Sequence, residues 1–221
     1  MNHWFSKLQQ GWIDFQEKRA IFFLAISGAW FLLIAIAIRF PDTNEFDQDV
    51  SHAVQRIQFP GVGSAMSALS FIGSPLSVAI LAILIALYFA YSDRRRLGWI
   101  CFFTLLGLPL NWALKDWINR PRPTVLYVTI VSRSTGMSFP SGHAMGSTVL
   151  FGLLAVICWT RFPHLRYRRS LSLALALIPI FVSISRIWLG VHWFSDVTAG
   201  IAAGLFCVLA LTIWLAADKK V

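Results

Sequence analysis

Charged side chains are scarce in this sequence. Asp, Glu, Lys and Arg make up 13% of its 221 residues, about half the share usual in a soluble domain. With so little charge, the chain is neither a disordered segment nor a nucleic-acid-binding arm. Cysteine is also sparse. Cys101, Cys158 and Cys207 each stand alone in an apolar run, which argues against a disulfide framework and against a CxxC zinc site. There is no Walker-type glycine loop, so ATP is not implied. Acidic residues number only 10, and their one cluster, Asp42 to Asp49, lacks the glycine and distal glutamate of a calcium loop. It reads as a solvated loop. No metal and no cofactor are called for, and nucleic acid is not a partner.

Apolar residues dominate instead: the AVILMFWYC set is 57% of the chain, yet 19 Lys and Arg leave a net charge of +9. An apolar chain with a basic surplus points to a membrane protein whose charges sit in its loops. A helical span needs about 20 apolar residues. Runs of that kind predict spans at about 20–38, 71–91, 97–114, 142–160, 171–185 and 194–217. Pro109 is a candidate kink in the third. The runs lack the twofold alternation of a membrane barrel. The expected fold is all-α, a six-transmembrane-helix bundle forming one domain over 1–221.

Six spans put both termini on one side. Segments 1–19, 92–96, 161–170 and 218–221 hold twelve Lys and Arg against four Asp and Glu, while the rest of the chain holds seven against six. The positive-inside rule therefore makes both termini cytoplasmic in a multi-pass plasma (inner) membrane protein. Two further segments have helical apolar spacing. Trp4, Leu8, Trp12 and Phe15 predict an interfacial helix over about 2–18. Val50, Ala53, Val54 and Ile57 predict a second amphipathic stretch on the outer side that packs against the bundle or lipid.

Positive charge next to the outer span ends opposes the usual bias and needs a reason. Three polar clusters fall there. The first runs from Lys115 to Pro123 and contains Arg120 and Arg122. The second is Pro140-Ser141-Gly142-His143, at the start of the fourth span. The third runs from Ser185 and Arg186 to His192 and Asp196. Ser141 and Gly142 stand where a helix exposes unpaired N–H groups and its positive dipole end, which suits a phosphate. His192 and Asp196 are four apart, one turn on a shared helix face. A carboxylate there can hold an imidazole in one tautomer and stabilise its cation. For a single interfacial Arg or His, snorkelling or hydrogen-bonded anchoring is the simpler reading. Two histidines, three cations, an Asp and a helix N-terminus on one face are harder to explain that way. His3, His52 and His164 lack such company.

Lys115, Arg122 and Arg186, with the N–H groups near Ser141 and Gly142, fit the three equatorial oxygens of a phosphoryl group in transfer. His192, with its carboxylate partner, is the candidate nucleophile, and His143 the candidate general acid. The first step would yield a phosphohistidine, which water then hydrolyses.

These three segments resemble those of the type 2 phosphatidic acid phosphatase family, whose core is shared with vanadium-dependent haloperoxidases. The family pattern is Lys, six residues, then Arg-Pro; Pro-Ser-Gly-His; and Ser-Arg, five residues, His, three residues, Asp. It is met without departure by Lys115 to Pro123, Pro140 to His143 and Ser185 to Asp196. The resemblance implies a metal-independent membrane phosphatase. Its substrate would be a lipid phosphate in the bilayer, and its active site would face the extracytoplasmic side. It also implies inhibition by vanadate. Bacterial members of this size point to undecaprenyl diphosphate, slightly ahead, or phosphatidylglycerophosphate. A broader phosphatidate phosphatase is the alternative. A non-catalytic lipid carrier would be expected to lose catalytic residues, and the haloperoxidases are soluble, so both are disfavoured.

Overall fold

The computed structural model describes the backbone of residues 2–92, 94–132 and 134–217, and side chains over 18–92, 94–132 and 134–214. The described residues form helices and connecting turns, with no strand among them. The helices are α1 (Asn2–Ala37), α2 (Pro41–Gln55), α3 (Val62–Ile72), α4 (Pro75–Tyr91), α5 (Arg95–Phe103), α6 (Gly107–Ile118), α7 (Gly142–Arg161), α8 (Arg168–Trp188) and α9 (Phe194–Ala217).

Five stretches among the described residues are long and apolar enough to cross a bilayer: Lys18–Ala37, Arg95–Ile118, Gly142–Arg161, Arg168–Trp188 and Phe194–Trp214. α3 and α4 together make a sixth candidate, bent by 49° at their junction. The bend has a local cause. Gly73 ends α3, Ser74 caps α4 by accepting from the Ser77 N–H at 3.1 Å, and Pro75 opens α4 where its missing N–H is harmless. A short 3₁₀ turn at Thr104–Leu106 joins α5 to α6. Pro109 explains it, because its ring clashes with the carbonyl four residues back and removes one ladder bond.

The interfacial placement expected of residues 2–18 concerns side chains that, up to residue 17, lie outside the described residues; the backbone there continues into α1. The acidic segment 42–49 differs from expectation. It is not a solvated loop but part of α2, begun by Pro41 after an extended Phe40, and its Asp47 is fully buried.

α7 is the most enclosed helix. It packs against α8 and α9, α9 packs against α1, and α4 against α5. Phe31 and Ile34 of α1 meet Met145 and Val149 of α7 and Ala199 and Ala202 of α9. A second cluster joins Phe89, Ile100, Leu153, Ile157 and Val208. The outward surface carries exposed Phe22, Leu33, Leu76, Leu84 and Leu173, an inside-out pattern suited to lipid contact rather than water. Consecutive antiparallel helices bring the ends of α6 and α8 and the starts of α7 and α9 together, with α2 and α3 beside them.

Candidate active site

His192 sits in the turn between α8 and α9, not on a helix. Gly190 makes the turn possible with φ +71. The Val191 N–H then donates back to Arg186 O at 3.2 Å. Asp196 belongs to the first turn of α9, and its Oδ2 accepts from the Trp193 N–H at 2.9 Å. This is the reach-back half of a capping box. It aims the same oxygen at His192 Nδ1, 3.3 Å away. The expected His–Asp pair therefore forms, although through a cap rather than a shared helix face. Both side chains are almost wholly removed from solvent, at 2% and 0% exposure.

The other nitrogen is also engaged. Arg122 Nη1 lies 3.1 Å from His192 Nε2 and donates to Val191 O at 2.7 Å. A guanidinium can only donate, so Nε2 is the acceptor and Nδ1 carries the proton toward Asp196. Burial pushes the His192 pKa down to about 4. The hydrogen bond and charge of Asp196 oppose that shift, and Arg122 and Lys115 add to it. At neutral pH the ring is uncharged, with its Nε2 lone pair facing the cations.

Lys115, on the last turn of α6, donates from Nζ to Met137 O at 2.6 Å and Ser138 O at 3.1 Å. Arg122 Nε donates to Gly136 O at 2.9 Å. The 136–138 backbone thus holds both cations. Arg186, on the last turn of α8, donates from Nη1 to Ser70 Oγ of α3. Its buried Nε finds no acceptor among the described residues. His143 lies in the first turn of α7, and Arg186, His192, Arg122 and Lys115 all act on it electrostatically.

Ser141 differs from expectation. Its N–H donates to Asp196 O at 3.0 Å, and its hydroxyl caps α7 by accepting from the Ala144 N–H at 3.4 Å. That N–H is not free for a phosphate. The residue instead ties the α7 start to the α9 start. Gly142 and His143, as first-turn residues of α7, have N–H groups outside the intrahelical ladder. A side chain at Gly142 would meet Asn111 Oδ1 at 2.9 Å. Asn111 itself donates to Pro140 O at 3.3 Å.

Several neighbours were not foreseen from the sequence. Arg120 does not snorkel. It is buried and pairs with both Asp196 and Asp47, at 2.8 Å each. Ser138, Asn111 and Ser70 are likewise buried polar supports. Arg120 lies inside the first cluster, and Asn111 and Ser138 stand close to the first and second, but their partners are distant in sequence and no local spacing marks those pairings. His52 is hydrogen-bonded to Tyr127 O at 2.7 Å, an anchoring contact.

Residues 96–220 match the PAP2 superfamily. The chain belongs to that family. This PAP2 chain is 30% identical over 180 residues to phosphatidylglycerophosphatase B of Bacillus subtilis (strain 168), covering 80% of this chain and 86% of that one. It is 30% identical over 146 residues to a relative named undecaprenyl-diphosphatase YbjG in Escherichia coli (strain K12), covering 65% and 69%. The crystal structure of a transmembrane PAP2-type phosphatidylglycerolphosphate phosphatase from Bacillus subtilis superposes with a TM-score of 0.80. The two chains are 26% identical, and the match covers 90% of this chain and 96% of that one. The PAP2 chain is thus a multi-pass, all-helical membrane protein of a phosphatase family.

Proposed function

We propose that this PAP2 chain hydrolyses the terminal phosphate of a membrane lipid phosphate through a phosphohistidine on His192. The observation that carries the reading is the double engagement of His192: Asp196 at Nδ1 and Arg122 at Nε2, at 3.3 and 3.1 Å. It leaves a neutral ring whose one lone pair, on Nε2, faces Arg122 and is released for attack when that guanidinium turns to a phosphoryl oxygen.

In the first step His192 Nε2 attacks phosphorus in line, the bond from phosphorus to the lipid oxygen breaks, and His143 as imidazolium gives that oxygen its proton. The phosphate dianion supplies the counter-charge for a cationic His143. Asp196 stabilises the positive ring of the phosphohistidine. In the second step neutral His143 takes a proton from water, the water oxygen bonds phosphorus, and the P–N bond breaks. Inorganic phosphate leaves, and His192 is neutral again. Lys115, Arg122, Arg186 and the Gly142 and His143 N–H groups balance charge on the phosphoryl oxygens, with no step that calls for a metal. Arg186 Nε, without an acceptor among the described residues, is suited to one such oxygen.

Phosphatidylglycerophosphate is the favoured substrate, because the likeness to phosphatidylglycerophosphatase B spans more of both chains than that to the undecaprenyl-diphosphatase. Undecaprenyl diphosphate is the second reading. The charge asymmetry supports cytoplasmic termini and an extracytoplasmic site.

Purified protein in detergent, with chelator present, should release phosphate from both lipids, with the higher kcat/KM on phosphatidylglycerophosphate. His192→Ala should abolish turnover and the acid-labile phosphoenzyme, His143→Ala should slow both, and vanadate should inhibit. Full turnover in His192→Ala sinks the reading. For sidedness, Glu45→Cys in a chain freed of its own cysteines should react with an impermeant reagent from outside the cell only.

A further inference from the structure

A carboxylate outside the three motif segments is buried against the site. Asp47 of α2 is 0% exposed. Its Oδ1 accepts from the Ser195 N–H at 2.8 Å, and its Oδ2 from Ser195 Oγ at 2.5 Å and Arg120 Nη2 at 2.8 Å. Arg120, 7% exposed, divides its guanidinium. Nη1 reaches Asp196 Oδ1 at 2.8 Å and Ser195 Oγ at 2.6 Å, and Nη2 also reaches Asn44 Oδ1 at 3.1 Å. Asp196 Oδ1 is thereby occupied, with Ser138 Oγ a second donor at 3.4 Å. Only Oδ2 is left for His192.

We propose that Asp47 is a positioning residue for His192, acting through Arg120 and Asp196. The proposal rests on the reading of His192 as nucleophile. The reason is charge balance. Arg120 with Asp196 alone makes a neutral buried pair that offers His192 no net counter-charge, and an imidazolium beside it would be uncompensated. Adding Asp47 makes the cluster two carboxylates and one guanidinium, net −1. That matches the positive charge His192 acquires when it is phosphorylated. Asp47 also binds the first turn of α9 at Ser195, where a carboxylate opposes the positive helix end, so the turn bearing Asp196 is held at the same point. α2, which carries none of the three motifs, thus completes the site.

A purely structural staple would lower stability without changing the chemistry of His192. Asp47→Asn removes the charge and nearly preserves the shape. It should lower kcat and the single-turnover rate of phosphoenzyme formation by about 10- to 100-fold, the range outer partners carry in metal sites, with KM held within about threefold. On an Asp196→Asn background it should add less than about twofold, because its effect passes through Asp196. The groups facing His192 are Asp196 of α9, Lys115 of α6, Arg122 beyond it, and His143 of α7, with Arg120 behind Asp196. Loss of a negative charge from this set disfavours the imidazolium, so the acid limb of the kcat/KM profile should move to lower pH in Asp47→Asn. Arg120→Gln leaves two carboxylates unopposed and should move it to higher pH. A staple gives no such opposite signs. If Asp47→Asn does not purify as a monodisperse protein, Arg120→Gln decides alone: an acid limb that is unmoved or moves down overturns the proposal. Wild-type kcat in a folded Asp47→Asn overturns it too. His192→Ala run in parallel separates the two readings. If it is inactive while Asp47→Asn is unimpaired, only the role of Asp47 is lost; if it turns over, the nucleophile assignment itself is lost.

Discussion

Arg122 and His192 are joined directly: Nη1 of the first stands 3.1 Å from Nε2 of the second and donates at the same time to Val191 O. Arg122 Nε holds Gly136 O on its other side. One planar group therefore fixes His192 Nε2, the turn that carries it and the 136–138 segment. A lysine cannot do this, since its ammonium is a point charge with no second, fixed direction. Arg122→Lys should keep part of the phosphate affinity and still lose about 10- to 100-fold in kcat, as loss of a preorganised donor does. Steady-state kinetics against phosphatidylglycerophosphate checks this, and a change confined to KM counts against it.

The lowered pKa of His192 gives a pH prediction with a definite sign. Its ordinary value is 6.5 and its value in the fold is about 4. Across that window the unfolded chain binds more protons at this site than the folded one, so stability rises with pH. The contribution is present above about 6.5 and is lost as pH falls through the window toward 4. Denaturation midpoints between those pH values should decline toward acid in the wild type and decline less in His192→Gln. On the proposed mechanism turnover depends on the same group. With the titration of the lipid phosphate near pH 6 allowed for, the limb of kcat/KM due to His192 should lie near pH 4, well below that of an ordinary histidine.

The motifs and the membrane character were legible because each is carried by near neighbours in sequence. Apolar runs locate Lys18–Ala37 and Gly142–Arg161, and fixed spacings locate Lys115, His143, His192 and Asp196. What was illegible depends on partners far away in the chain. Nothing near Asp47 foretells its pairing with Arg120, 73 residues on, so an acidic stretch read as solvated. The place of Ser141 at a helix start marks it for phosphate, because that position exposes N–H groups in general. The approach of Asp196 O consumes that particular one. His192 and Asp196 have helical spacing, yet the turn at Gly190 takes the histidine off the helix, and a cap restores the contact.

That turn leads to a third prediction. Gly190 has φ +71, where an L side chain is strained, and a Cβ there would lie 2.2 Å from Thr129 O, a backbone atom. Gln55 holds the same carbonyl at 2.7 Å and Trp188 O at 3.1 Å, so the neighbour cannot easily give way. Gly190→Ala should destabilise the protein by about 1–3 kcal/mol and, by shifting Val191 and His192, reduce kcat. A denaturation midpoint and a phosphate-release assay on the same preparation test both halves.

The last prediction contrasts two helix glycines. Gly200 of α9 lies against the Pro-Ser-Gly-His turn: a Cβ there would come 2.7 Å from Ser141 O and 3.0 Å from Ala144 Cβ. Backbone must move to admit it. The movement would load the Ser141 N–H to Asp196 O bond that joins α7 to α9. Gly28 of α1 faces the same helix at another level, but its Cβ would meet only Phe206 at 3.5 Å, an ordinary contact. Alanine in a helix is favoured over glycine by about 1 kcal/mol. Gly28→Ala should therefore be neutral or stabilising, with kcat unchanged. Gly200→Ala should lose about 1–3 kcal/mol through overpacking and lower kcat as well, because the displaced turn carries His143 on one side and Asp196 on the other. Equal effects of the two substitutions on midpoint and turnover would show that α7 and α9 do not depend on this close approach.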